Sequence, residues 1–213
     1  MVLKLHSHAI APRVRLVAAV CKELDVPYEL VNVEVYKGEQ KTPAYRAFQP
    51  FGQVPYLDDD GFILYESRAI CRYIAKKHAS EGHRLIPDGT DLKEEALFEQ
   101  AASIEMSNFE PFAAGIAEEK IIKKHQGLPT NEERLELLVS TLRKNMDVYD
   151  VILGKQAYLA GDSISLADLF HLPYGAVVEK VGYSDVFETR PNVARWWKDI
   201  TSRPSWQAVK DSA

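Results

Sequence analysis

Cysteine is scarce in this chain: Cys21 and Cys71 lie far apart, and no Cys-x-x-Cys pair occurs. That excludes a zinc ribbon, a thioredoxin-type redox pair and a disulfide-dense secreted scaffold, and it fits a reducing compartment. Long apolar runs are missing as well. Nowhere do about 18 apolar residues follow one another, so no segment reads as a membrane span. The opening MVLKLHSHAIAPR, with Lys4, His6 and His8, lacks the apolar centre of a signal peptide. The chain therefore reads as cytoplasmic. Basic residues are outnumbered, 26 against 31 acidic ones, for a formal charge of −5. They are also scattered, so a nucleic-acid surface has no support. No internal repeat or low-complexity tract interrupts the sequence.

What is present suffices for a sizeable core: 213 residues, 46% of them hydrophobic and 27% charged, enough for one large or two small domains. Over residues 1–80, short apolar runs alternate with helical patterns. Strands are expected at Val2 to His6, Tyr28 to Val35, Val54 to Leu57 and Phe62 to Leu64. Helices are expected from Pro12, near Lys41 to Phe48, and over Glu66 to His78. Interleaving of this kind predicts an α/β domain with a mixed sheet. Pro12 suits a first helical turn, and Gly61 after three aspartates suits a hairpin. Residues 81–91, within the turn-rich SEGHRLIPDGTD, read as a linker. From Leu92 to the last residue, strand signals vanish. The spacing of Leu135, Leu138, Leu142, Met146, Tyr149 and Leu153 makes one apolar helical face, so residues 92–213 read as an all-α domain. Ser165-Leu166-Ala167-Asp168 has the form of a capped helix start, with Ile164 and Leu169 placed as a staple.

Residues 51–74, FGQVPYLDDDGFILYESRAICRYI, read as a small-molecule site in which backbone does the binding. A cis Val54-Pro55 bond, accessible at about 0.5–1 kcal/mol, would aim the Val54 N–H and C=O outward, where an extended peptide can pair with them like a neighbouring strand. Ser67, opening the next helix, offers a hydroxyl and unpaired N–H groups to a carboxylate, and the Glu66 carboxylate suits an ammonium. The set fits a short zwitterionic peptide.

These residues, with Gln49-Pro50-Phe51-Gly52-Gln53-Val54-Pro55 followed by Tyr65-Glu66-Ser67-Arg68-Ala69-Ile70, resemble the glutathione-binding domain of the cytosolic glutathione transferases. Ser165 to Asp168, the following AxLFHLPY pattern and RPNVARWWKDITSRPSW resemble that family's helical domain, so the likeness spans nearly the whole chain. Within the family it looks most like the phi class. The resemblance implies a thioredoxin-like N-terminal domain, glutathione as co-substrate with no permanently bound cofactor, and a homodimer. It assigns Gln53 to a carboxylate end of glutathione, Val54 with Pro55 to the cysteinyl backbone, and Glu66 with Ser67 to the γ-glutamyl group. Lys41, with Gln40 where the family has histidine, would meet the glycine carboxylate; both also read as solvated helix-start residues. Phe51 resembles the aromatic key that enters a partner subunit, and Arg68 reads as an interface or structural ion-pair residue.

One residue departs from the pattern. In the phi class a serine at the start of the first helix donates a hydrogen bond to the glutathione sulfur, and ungapped registration puts Ala11 there. A free thiol, with a pKa of about 8.5, is only a few per cent ionised at pH 7, and the thiolate is the nucleophile. Losing a hydroxyl bond worth roughly 1.5–3 kcal/mol slows chemistry about tenfold to a few hundredfold. Backbone N–H groups near Arg13 and the helix macrodipole still favour a thiolate. Ser7 is the weak candidate for a replacement donor, though it also reads as the end of a strand. His6 and His8 read as two residues on one strand face at the core edge, and no metal site is expected.

The acceptor's apolar pocket is expected between the two domains, from Pro12, Phe109, Phe112, Ile116, Tyr174 and Val177; aromatic residues at helical spacing also read as core. The leading expectation is conjugation of glutathione thiolate to small hydrophobic electrophiles, with hydroperoxide reduction open as a side activity. The competing one, motivated by Ala11, is a binding protein, or ligandin, that holds glutathione or hydrophobic compounds with little turnover. A cysteine-based mechanism is disfavoured, since neither cysteine falls at the helix start.

Overall fold

The computed structural model describes residues 2–79 and 84–213. It divides into two compact units, Met1–Ile86 with Arg203–Ala213, and Pro87–Ser202. The first unit holds β1 (Leu3–Ser7), α1 (Pro12–Glu23), β2 (Tyr28–Asn32), two 3-10 turns (Val35–Lys37, Glu39–Lys41), α2 (Pro43–Arg46), β3 (Tyr56–Asp59), β4 (Phe62–Tyr65) and α3 (Ser67–Lys77). The sheet runs β2-β1-β3-β4. β1 is parallel to β2, with Leu5 opposite Leu30, and antiparallel to β3, with Leu5 opposite Leu57. This is the mixed sheet the alternation predicts, in thioredoxin-like order.

Alternation along β1 buries Leu3, Leu5 and Ser7. Helices α1 and α3 pack on each other through Val14, Val17 and Cys21 and through Ile70, Cys71 and Ile74, all buried. Each such aliphatic side chain contributes about 1.5–3 kcal/mol by leaving water. A second, aromatic packing involves His6 of β1, which stacks on Tyr56 of β3 at 4.3 Å; Tyr45 and Phe48 meet the same ring at 5.2 and 5.5 Å. At the β3–β4 hairpin, Asp60 and Gly61 both have positive φ, 56° and 88°, the geometry that matches the twist of the flanking strands.

The sequence assigned residues 92–213 to one helical domain with a linker at 81–91; the structure corrects both limits. The division falls between Ile86 and Pro87, and residues 203–213 return to the first unit. The linker's residues 81–83 lie outside the described residues. The return is driven by pairing distant in sequence: Arg203 Nε donates to the Glu23 carboxylate at 3.1 Å, and the Ala213 N–H donates to the Ala9 C=O at 3.0 Å. Ser205 also donates to Glu23. The strands also start and stop one to three residues from their expected limits, because β2 gives way to a 3-10 turn at Val35 and Pro55 cannot extend β3 backwards.

The second unit is helical among its described residues: α4 (Leu92–Ile104), α5 (Glu110–Ala117), α6 (Lys123–His125), α7 (Glu132–Leu153), α8 (Leu166–Leu169), α9 (Leu172–Lys180), α10 (Asp185–Glu188) and α11 (Pro191–Ser202). Wider π-helical turns, Glu105–Phe109 and Glu118–Ile122, join α4, α5 and α6. The last helix, α12 (Pro204–Gln207), belongs to the first unit. The apolar face of α7 is Leu135, Val139, Leu142, Met146, Tyr149 and Leu153. Val139 takes the inward place expected of Leu138, which instead lies half-buried over Gly115 of α5. The expected capping box is present. Ser165 accepts from the Ala167 N–H, and Asp168 accepts from Ser165 N–H, Leu159 N–H and Trp196 Nε1–H, each at 2.9 Å. Burial pushes the Asp168 carboxyl up while these donors pull it down.

Candidate functional site

Strand register gathers the sequence-predicted residues at one end of the sheet. His6 lies opposite Tyr56, and Tyr56 opposite Tyr65. The chain therefore leaves β1 after Ser7, approaches β3 through Val54-Pro55, and leaves β4 into Glu66-Ser67 at the same edge. The Val54-Pro55 bond is cis. Among the described residues, no protein group meets the Val54 N–H or C=O. Ser67 opens α3, with no acidic residue in the first turn and Glu66 as N-cap at φ 71°. The N-terminus of α3, the positive end of its helix dipole, faces this end of the sheet. The Ser67 hydroxyl is buried and has no hydrogen-bond partner; Glu66 is exposed.

The turn before Val54 is pressed against the Gln40–Lys41 segment. Gly52 has φ 61°, and a Cβ there would sit 2.8 Å from the Gln40 C=O and 3.1 Å from Lys41 Cδ, so only glycine allows both the conformation and the approach. Gln40 is half-buried with its side-chain oxygen unpartnered, and Lys41 is exposed. Gln53 presents its side chain to solvent while its backbone is held on both sides. Its N–H donates to Gln49 Oε1 at 3.0 Å, and its C=O accepts from the Tyr45 hydroxyl at 2.9 Å. Sequence reasoning missed the roles of Tyr45 and Gln49, whose burial shows only in the folded chain.

Ala11 is the N-cap of α1, with φ −64° and ψ 131° and no side-chain cap bond. Its N–H is already given to the His8 C=O at 2.9 Å, and Pro12 at the first helical position has none to give. The donors at this helix start are therefore backbone groups beyond Pro12, in a first turn without acidic residues. Ser7 ends the buried row of Leu3 and Leu5, and its hydroxyl is buried without a partner. His6 and His8 do not share a strand face, as the sequence suggested, because β1 stops at Ser7. His6 stacks on Tyr56, and burial pushes its pKa down; the His8 ring meets the edge of Tyr36 at 5.1 Å. Burial pushes the Cys21 thiol up to about 12 and Cys71 further, which favours the neutral thiol at both buried positions. Among the described residues, no three His, Cys, Asp or Glu side chains are grouped to hold a metal.

Of the acceptor-pocket residues, Phe109 and Ile116 are fully buried, which corrects their assignment. Phe109 packs on His171 at 4.5 Å and Phe187 at 6.3 Å within the second unit. Phe109 closes the π-helical turn with its side chain fully buried. Val177 is 7% exposed; Phe112, Tyr174 and Pro12 are half-buried. Phe51 is 64% exposed, its ring edge toward Tyr65, and Arg68 is half-buried on α3.

The first unit is thus thioredoxin-like, with an unpaired Val54 backbone beside two helix starts, and a helical unit follows it in the chain. The sequence matches the family descriptions "Glutathione S-transferase, N-terminal domain" over residues 5–82 and "Glutathione S-transferase, C-terminal domain" over residues 110–204. It is 46% identical over 207 residues to glutathione S-transferase hmp2 of Hypomyces subiculosus, covering 97% of this chain and 96% of that one. It is 37% identical to glutathione S-transferase F10 of Arabidopsis thaliana, covering 98% and 96%. The solved glutathione S-transferase I from maize, in complex with an atrazine glutathione conjugate, superposes with a TM-score of 0.91 at 32% identity, covering 99% and 97%. The chain belongs to the glutathione S-transferase family, and its plant relatives are the F-type, phi-class transferases.

Proposed function

We propose that the protein conjugates the glutathione thiolate to small hydrophobic electrophiles, by addition or by aromatic substitution. One observation carries this reading. Buried side-chain oxygens without a partner on Gln40 and Ser67 lie on the segments that flank the unpaired Val54 backbone. Buried polar groups are otherwise almost always satisfied, and a zwitterionic tripeptide supplies the donors such oxygens require. Val54 with Pro55 would pair with the cysteinyl backbone. The α3 start at Ser67 would take the γ-glutamyl carboxylate, Glu66 the amine, and Gln53, Gln40 and Lys41 the other polar groups. In substitution the sulfur–carbon bond forms as the leaving anion departs; in addition, the carbanion formed takes a proton from water.

The relative from maize is solved with a glutathione conjugate of atrazine, which supports an aromatic electrophile as a trial substrate. Steady-state conjugation of chlorodinitrobenzene tests the reading; turnover saturable in glutathione is expected, and no turnover above the uncatalysed rate would overturn it. A second reading is favoured by the Ala11 N-cap: a ligandin that binds glutathione or hydrophobic compounds and turns over little. Glutathione binding without conjugation would select it. Hydroperoxide reduction belongs to the first reading, since the same thiolate attacks the peroxide oxygen and a second glutathione completes the disulfide. Exposed Phe51 and half-buried Arg68 support a homodimer, and two free, buried cysteines suit a reducing, cytoplasmic setting.

A further inference from the structure

From the two hydrogen bonds on the Gln53 backbone, we infer that Tyr45 and Gln49 are positioning residues that preset the Val54 edge for the peptide. Resting on the glutathione reading above, this assigns a role to two side chains that do not touch the ligand. Gln53 is exposed, yet its N–H and C=O are each held by a buried side chain, Gln49 at 2% exposure and Tyr45 at 6%. Both are rooted elsewhere. The Tyr45 ring packs edge-on to Tyr56, which follows Pro55 and begins β3. Thr42 caps the turn that carries Tyr45 by accepting its N–H, and the Gln49 C=O accepts the Gly52 N–H at 2.9 Å. A plain turn needs neither contact. Together they fix the plane of the peptide group on each side of Gln53, and hence the direction in which the next residue, Val54, offers its N–H. Burial pushes the Tyr45 phenol well above its usual range, so it remains a donor wherever the enzyme works. A backbone edge held before binding loses no freedom on binding, and looseness there appears as weaker affinity.

Tyr45→Phe removes only the hydroxyl, and Gln49→Leu removes the acceptor while keeping the bulk. Each is compared with the wild type for glutathione affinity by calorimetry, for KM and kcat in conjugation, for the pKa of the bound thiol, and for thermal midpoint. The expected result is a rise of about two- to twelvefold in glutathione Kd and KM in each variant, the range of one ordinary hydrogen bond. kcat at saturating glutathione and the thiol pKa should stay as in the wild type. A lowered midpoint with unchanged KM, or a fall in kcat with KM unchanged, would overturn the positioning role and leave the two residues merely structural. If Gln49→Leu does not fold, Tyr45→Phe alone decides. A wild type that binds no glutathione defeats the functional reading and this inference together, and differs from the other failures because the unaltered protein is then silent.

Discussion

Restoring the hydroxyl at Ala11 has consequences that can be worked out in advance. Ala11 is the N-cap of α1 with φ −64° and ψ 131°, an extended conformation that serine adopts without strain. In Ala11→Ser the new oxygen can accept an N–H of the first turn while its proton is donated to the glutathione sulfur. Capping contributes about 1 kcal/mol, a rise of about 2–4 °C in the thermal midpoint for a chain of this size. A hydroxyl bond to the thiolate, at roughly 1.5–3 kcal/mol, lowers the bound thiol's pKa by about one to two units. Well below that pKa, about 10 to 150 times more thiolate is present. The stabilised thiolate is a weaker nucleophile, with a Brønsted slope of about 0.4–0.5, which brings the net gain to roughly 4- to 16-fold, below the about tenfold to a few hundredfold that the bond energy alone would give. The gain must therefore shrink as pH rises and reverse once both proteins hold a fully ionised thiol. Conjugation rates from about pH 5.5 to 9.5, with the thiolate absorbance of bound glutathione followed in parallel, provide the assay. A rate ratio independent of pH, or an unmoved thiol pKa in a folded variant, would refute the reasoning and mean that another donor already serves the sulfur.

Further expectations concern the frame around the site. Gly52→Ala places a Cβ 2.8 Å from the Gln40 C=O at φ 61° and should cost about 1–3 kcal/mol by denaturant titration, with glutathione affinity falling in the same variant. Asp168→Ala leaves the buried N–H groups of Ser165, Leu159 and Trp196 without their acceptor and should cost about 3 kcal/mol or more; Ser165→Ala, losing the cap alone, should cost about 1 kcal/mol. Hydrogen bonds from Lys123, then the Asn131 N–H and Arg134, hold the Glu119 carboxyl at about 2, below its ordinary 4.5. Between those values the unfolded chain binds the extra proton, so this contribution to stability is complete above about pH 4.5 and is lost as pH falls toward 2. Glu119→Gln should flatten the acid limb of the stability profile in that window, measured by urea unfolding.

Much of this was legible because local chemistry decides it. Gln53-Val54-Pro55 declares a turn, Glu66-Ser67 a helix start, and Ser165 with Asp168 a cap, each within a few residues. What was not legible depends on what covers a residue. Helical spacing identified Phe109 and Ile116 as apolar positions but not that His171 and Phe187 close over Phe109. The return of residues 203–213 to the first unit depends on Glu23, some 180 positions away. The support of Gln53 by Tyr45 and Gln49 arises in the single-turn helix α2 and the turn after it, too short for periodicity to mark a side chain as turned inward. Ala11 was the clearest sequence departure, and the structure gives it a definite place without supplying another side-chain cap.

The most direct test of the account is the ionisation of glutathione bound to the wild-type protein, read by thiolate absorbance from about pH 5 to 9 with binding confirmed by calorimetry. The account predicts saturable binding and a thiol that titrates below the free value of about 8.5, drawn down by the α1 N-terminus alone. Absence of binding, or a bound thiol titrating at or above the free value, would contradict it.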